Sequence, residues 1–158
     1  MGYYSDLNDF SFATKLTANE VNNKFKAFCD AIRENEKLQQ ELETEGDDYP
    51  LDAEYFKFKN LTNYVEGTGE VDCMEDDCYV IVADPGDFRA KHYSSRGLAV
   101  FVSLVIAEGK ETEVLFEGED GACWGWKVES YKLTGMSKEW QYGSTVELSK
   151  TEVLKAFL

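Results

Sequence analysis

Basic side chains are scarce in this sequence. Sixteen lysines and arginines stand against 31 aspartates and glutamates, a formal net charge of −15. Proteins bind nucleic acid largely by letting lysine and arginine displace phosphate counterions. This balance therefore argues against direct nucleic-acid binding, and against anionic membrane surfaces for the same reason. Partners selected by charge should be basic. Histidine is scarcer still: His92 is the only one, so any Ser–His or Cys–His catalytic pair would have to use it. No apolar run reaches 18 residues, which excludes a membrane-spanning helix. The opening Met1-Gly2-Tyr3-Tyr4-Ser5-Asp6 has neither the basic nor the apolar segment of a secretory signal. A reducing, cytoplasmic setting is expected, and there Cys29, Cys73, Cys78 and Cys123 read as thiols. Only Cys73 and Cys78 are close in sequence, whereas a four-cysteine zinc site draws on two close pairs. No metal and no cofactor is expected. The sequon Asn60-Leu61-Thr62 carries no consequence in such a compartment.

What is present is a folding sequence, 43% hydrophobic and 14% aromatic over 158 residues. That length suits a single domain, 1–158, able to bury about two thirds of its unfolded surface. Residues 1–16 hold Tyr3, Tyr4, Phe10, Phe12 and Leu16 without a clear period, and read as an N-terminal arm lying on the domain. Thr17-Ala18-Asn19-Glu20 is a capping box. Val21, Phe25, Phe28 and Ile32 then follow at helical spacing. Leu38 and Leu42 continue the stripe, with Gly46 as the stop. Tyr55 to Lys59 alternates as a strand with Phe56 and Phe58 inward. A second strand lies within Val71–Val82, strongest at Tyr79-Val80-Ile81-Val82; Glu75-Asp76-Asp77 inside it is a bulge, a turn or an exposed tip. Asp84-Pro85-Gly86-Asp87 opens a loop reaching Ser95.

The centre of the chain is the stretch from Arg96 to Val128. Leu98, Phe101, Val102, Val105 and Ile106 fit a buried helix, with Ser94 or Ser95 as N-cap and Gly109 closing it. A β-hairpin follows. With Gly121 in the left-handed region, the loop is Glu119-Asp120-Gly121 and Gly118 pairs with Ala122. Phe116 then faces Trp124, Val114 faces Trp126 and Thr112 faces Val128. A one-residue slip would turn these side chains to the wrong face. A strand around Lys138–Tyr142, another at Thr145–Leu148 and a short C-terminal helix opened by Ser149-Lys150-Thr151-Glu152 complete the chain. The class is α+β: an antiparallel sheet of four to five strands packed by two main helices, with a ferredoxin-like arrangement as the simplest closure.

No catalytic set emerges, and the chain reads as non-enzymatic. The paired acids Asp47/Asp48, Asp84/Asp87 and Glu119/Asp120 lack EF-hand spacing and suit turns and solvated faces. Two tracts stand out. Residues 34–54 carry Glu41, Glu43, Glu45, Asp47 and Asp48 with Lys37 as their only base. Residues 66–77 carry Glu66, Glu70, Asp72, Glu75, Asp76 and Asp77 with none. These are the expected partner-binding residues. Arg89, Lys91, His92 and Arg96 form the one basic cluster, and either pair with the protein's own acids or hold an anion such as phosphate. Gly118-Glu119-Asp120-Gly121 has phosphate-loop spacing, but its two acids favour a hairpin turn. Trp124 and Trp126 read as core, with a stacking or hot-spot surface as the alternative.

The Met1-Gly2-Tyr3-Tyr4-Ser5-Asp6 opening, and residues 97–128 with Phe116-Glu117-Gly118-Glu119-Asp120-Gly121 and Trp124-Gly125-Trp126, resemble small phage-encoded accessory proteins of compact α+β build. Most such proteins have no assigned activity, so the resemblance carries over no catalytic residue. It implies a cytoplasmic protein of a bacterial host cell that blocks host defence, an anti-CRISPR for example, by occupying a nucleic-acid-binding surface. The combined expectation is an inhibitor whose acids stand in for phosphates on a basic host protein. The alternatives are a small-molecule or nucleotide binder using the basic loop 89–96, and a virion assembly protein.

Overall fold

A computed structural model of the chain describes residues 5–41, 57–83, 89–90, 96–137 and 141–147. Among the described residues three helices run Ala18–Glu34 (α1), Glu36–Glu41 (α2) and Arg96–Val105 (α3). The strands are Ser5–Leu7 (β1), Phe10–Thr14 (β2), Phe58–Asn60 (β3), Thr62–Val65 (β4), Gly69–Asp72 (β5), Met74–Glu75 (β6), Cys78–Ala83 (β7), Arg89–Ala90 (β8), Glu111–Gly118 (β9), Cys123–Glu129 (β10), Lys132–Ser137 (β11) and Gln141–Glu147 (β12). All pairings are antiparallel, and the class is α+β.

The strands do not form one sheet of four or five in a ferredoxin-like order. Among the described residues a six-stranded sheet runs β12-β11-β10-β9-β1-β8; a second, β2-β7-β3 with β6 beside β7, takes four more; β4 and β5 pair only with each other. The reason lies in residues 5–14, which are no arm laid on a finished domain. β1 pairs with β9, and the chain then crosses at Asn8-Asp9 into the other sheet, where β2 pairs with β7 along five residues. Ladder-like bonds stitch this crossing: Asn8 N–H to Leu115 O (2.9 Å), Thr112 Oγ1 to Ser11 O (2.6 Å) and Ala107 N–H to Ala13 O (2.8 Å). Leu7, Phe10 and Phe12 are buried as a result.

Helix α1 begins at the expected capping box. Thr17 Oγ1 accepts from the Glu20 N–H (3.2 Å), and Glu20 Oε1 accepts from the Thr17 N–H (3.2 Å). Val21, Phe25, Phe28 and Ile32 are its buried stripe. The helix breaks after Glu34, and the expected Leu42 and Gly46 lie outside the described residues. Asn35 leaves helical geometry, and its side chain accepts from the Leu38 N–H (3.1 Å), so it ends α1 and caps α2. Gln39 Nε2 donates to the Ile32 carbonyl (2.7 Å), satisfying one orphan group at the α1 terminus.

Helix α3 is apolar on almost every side and buried from Gly97 to Ser103, as a helix inside a core should be. It packs on β10, β11 and α1. Phe101 lies at the focus, with ring centroids 4.9 Å from Phe25, 5.4 Å from Phe28 and 5.7 Å from Phe58. The helix ends at Val105, before the expected glycine stop. Thr14 Oγ1, fully buried, donates to the Val105 carbonyl (2.6 Å) and does the capping instead. Gly109, at φ +81°, serves the next turn, where the Lys110 N–H meets the Ala107 carbonyl (3.1 Å).

The β9–β10 hairpin has the derived register: Phe116 opposite Trp124, Val114 opposite Trp126, Thr112 opposite Val128, and Gly118 bonded to Ala122. Gly121 sits at φ +84°. Phe116 stacks on Trp124 at 5.9 Å and meets Trp126 edge-on at 6.4 Å, and both tryptophans pack half-buried against the core. The next strand, β11, starts at Lys132, well before the expected Lys138, and β12 takes in the segment expected at Thr145–Leu148 as far as Glu147. The proposed terminal helix lies outside the described residues.

Candidate interaction hairpin

Beyond β3 the chain leaves the body of the fold. Asn22 holds the departure point: its Nδ2 donates to the Phe58 carbonyl and its Oδ1 accepts from the Phe58 N–H, both at 2.9 Å. Three bonds then fix the root of a ribbon: Leu61 N–H to Val80 O (2.9 Å), Cys73 N–H to Leu61 O (2.7 Å) and Val80 N–H to Cys73 O (3.1 Å). Past the root, Thr62-Asn63-Tyr64-Val65 supplies β-branched and aromatic residues that favour extended backbone. Gly67 and Gly69, at φ +85° and +86°, turn the chain, with the Thr68 N–H bonded to Val65 O (3.1 Å). The register pairs Thr62 with Asp72, Asn63 with Val71, Tyr64 with Glu70 and Val65 with Gly69.

Directly opposed residues of an antiparallel pair share a face. One face of the ribbon thus carries Thr62, Tyr64, Glu70 and Asp72, and the other carries Leu61, Val65, Val71 and Cys73. Every residue from Leu61 to Thr68 is exposed. Tyr64 is 76% exposed, Met74 54%, Val65 43% and Leu61 41%; these are the large exposed hydrophobic side chains among the described residues. No lysine, arginine or histidine occurs between residues 60 and 79. The ribbon therefore presents apolar side chains in a uniformly acidic frame.

A second turn sits beside the ribbon. Glu75 pairs with Cys78, leaving Asp76-Asp77 as a two-residue loop with φ +49° and +63°. Positive φ at both central residues marks the I′ geometry that suits the twist of a hairpin. Aspartate tolerates the left-handed region better than most L-residues. Lys110, from the start of the six-stranded sheet, reaches this tip. Its Nζ lies 3.0 Å from Glu75 Oε1 and also bonds Asp76 Oδ2. The Lys110 hydrogen bond, and then its charge, hold the Asp76 carboxyl below its usual range. The same bond to Asp76, with a second to Glu75, pushes the Lys110 ammonium up to about 12.

Of the tract at 66–77, Glu66, Glu70, Asp72 and Asp77 stand exposed with no ion-pair partner among the described residues, while Glu75 and Asp76 are engaged by Lys110. Glu41 closes α2. Glu43, Glu45, Asp47 and Asp48 lie outside the described residues, as do Lys91 and His92. Arg89 is in β8, and Arg96 opens α3 half-buried. No protein-family model, curated protein or solved structure matches the chain. Among the described residues no three His, Cys, Asp or Glu side chains are grouped to hold a metal ion, and no helix is long and apolar enough to cross a membrane. The apolar side chains of the ribbon escaped the sequence reading. The Tyr64-Val65 pair was their one visible signal, and it looks like any strand interior.

Proposed function

We propose that this protein is a non-enzymatic binding protein whose ribbon at residues 61–77 docks on a basic protein surface. The observation that carries this reading is the ribbon itself: a two-stranded projection with exposed Leu61, Tyr64 and Val65, exposed Met74 at its root, and acids but no lysine, arginine or histidine in its own sequence. Apolar anchors supply affinity at an interface. Like-signed charges around them steer encounter and select a partner of opposite sign. Glu70 and Asp72, two residues apart on one face, stand about 7 Å from each other along the strand, a spacing suited to a row of lysines or arginines. The resemblance to phage accessory proteins makes a nucleic-acid-binding protein of the bacterial cytoplasm the proposed target, with the carboxylates in the place of phosphates and antidefence as the outcome.

The test is affinity capture from bacterial lysate with the wild-type chain and with the triple variant Glu66→Gln/Glu70→Gln/Asp72→Asn. Basic proteins retained by the wild type should be released by raised salt and by added DNA, and should be missing from the variant's eluate. Retention that is indifferent to salt and to these three substitutions would refute the reading.

A further inference from the structure

A second surface, remote in sequence from the ribbon, has the opposite character. Where β2 ends, residues 14–16 line a groove of about 540 Å³ together with residues of α1 and α3. That is within the roughly 300–1,000 Å³ range of small-molecule sites. Phe28 and Phe101 form its apolar floor, with Leu104 and Ile106 along one wall. α1 contributes a small residue, Ala27, to the lining beside the Phe28–Phe101 ring contact.

Its rim is cationic. Lys15 and Lys24 both line the groove, both are exposed, and neither has a carboxylate within ion-pair distance among the described residues. Among the described residues Glu108 is the single acid lining it. Asp76 feels the Lys15 charge but is bonded to Lys110. Two lysines against one glutamate is a local reversal of sign in a protein of formal charge −15.

The third feature is Tyr131, which also lines the groove. It occupies the β10–β11 turn at φ +57°, where an aromatic L-residue is an outlier. Its N–H bonds the Ser103 carbonyl of α3 at 3.0 Å, which fixes the ring's backbone against the helix. Such outliers persist where the surrounding structure imposes them, and they concentrate at ligand sites.

We infer that this groove binds a small amphipathic carboxylate, its apolar body on Phe28, Phe101 and Leu104 beside Tyr131 and its anionic head between Lys15 and Lys24. The net charge makes the inference discriminating. Non-specific association of an amphiphile with this protein should favour cations and disfavour anions. A preference for the anion has to come from a local site.

The experiment is calorimetric titration of the full chain with octanoate, 1-octanol and octyltrimethylammonium, each below its aggregation threshold. Octanoate should bind most tightly and the ammonium least. Lys15→Gln/Lys24→Gln should weaken octanoate about tenfold, the sum of two exposed charge contacts, and leave octanol unchanged. Both lysines are exposed, so this variant should keep the wild-type circular dichroism. Leu104→Trp, which fills the groove from a half-buried position, should abolish octanoate binding. No binding of octanoate, a rank order with the ammonium first, an octanoate affinity unchanged in Lys15→Gln/Lys24→Gln, or octanoate binding that survives Leu104→Trp would overturn the inference. None of these outcomes bears on the ribbon.

Discussion

Gly125 lies between two tryptophans and opposite Leu115 in the β9–β10 ladder, and it is buried. A Cβ there would fall inside the contact distance of the Val114 carbonyl oxygen and only 2.9 Å from Leu115 Cα and Cδ2. The leucine tip could swing aside; the carbonyl and the Cα belong to the partner strand and move only if the strands part. Overpacking a fitted interior costs about 1–3 kcal/mol. A clash against backbone belongs at the top of that range. Gly125→Ala should therefore cost about 3 kcal/mol, and at roughly 2–4 °C per kcal/mol for this chain length it should lower Tm by about 6–12 °C. Gly121 supplies the control. It is at φ +84° with nothing within 4 Å of a built Cβ, so Gly121→Ala pays only for the left-handed backbone, about 1–2 kcal/mol. Gly121→Asn should regain part of that loss, whereas Gly125→Ser should regain none of its own. Urea and thermal melts followed by tryptophan emission report on the site directly, because Trp124 and Trp126 flank Gly125. If Gly125→Ala costs less than Gly121→Ala, close approach of the two strands is not why glycine stands between the tryptophans.

Two further outcomes follow from the Glu75–Cys78 turn. Asp77→Gly removes a left-handed L-residue from a two-residue loop and should raise the urea midpoint, worth about 0.5–1 kcal/mol; a lower midpoint would show that Asp77 makes a compensating contact. Lys110 should impose two pH limbs on stability. Its pKa is raised from 10.5 to about 12, so its contribution is complete below the ordinary value and lost as pH rises through the folded one. The Asp76 pKa is lowered from 3.8, so its contribution is present above that value and lost as pH falls below it. Urea titrations across pH should show both limbs flattened in Lys110→Met, and unchanged limbs would place the coupling elsewhere.

The parts of the fold legible in sequence are those whose determinants lie within a few residues. Thr17 and Glu20 announce α1, and Gly121 fixes a register from which Phe116–Trp124 and Val114–Trp126 follow by the two-residue period. Asn35 defeats the helix reading: Leu38 stands six residues beyond Ile32, off the helical stripe of α1, and is still fully buried because Asn35 ends α1 and caps a second helix. The second sheet was illegible because β2 finds its partner in β7, about seventy residues on, and neither carries a mark of the other. Thr134 is buried within β11 and shares a hydrogen bond with Thr145 across to β12 (3.2 Å), so polarity there misreports position. The acidic tract was visible as composition, but the engagement of Glu75 and Asp76 depends on a lysine about thirty-five residues distant. The groove is assembled from β2, both main helices and the β10–β11 turn, and no one segment contains it.

The acids of the ribbon have a second physical consequence that ties them to its apolar side chains. A two-stranded ribbon with free edges and exposed leucine, tyrosine and valine is a template for pairing with its own kind. Charges flanking such a segment oppose that pairing. Glu66, Glu70 and Asp72 would face their own copies in a self-paired ribbon, with no cation between residues 60 and 79 to offset them. The arrangement that discourages a second copy is the one that favours a basic partner, so one set of carboxylates sets both choices. The two substitution types should then separate. Neutralising Glu66, Glu70 and Asp72 should abolish partner capture and raise the self-association seen by light scattering. Tyr64→Ser/Val65→Ser should abolish capture and leave the protein as dispersed as the wild type. If the neutralised ribbon stays as dispersed as the wild type, the acids are not guarding its apolar side chains.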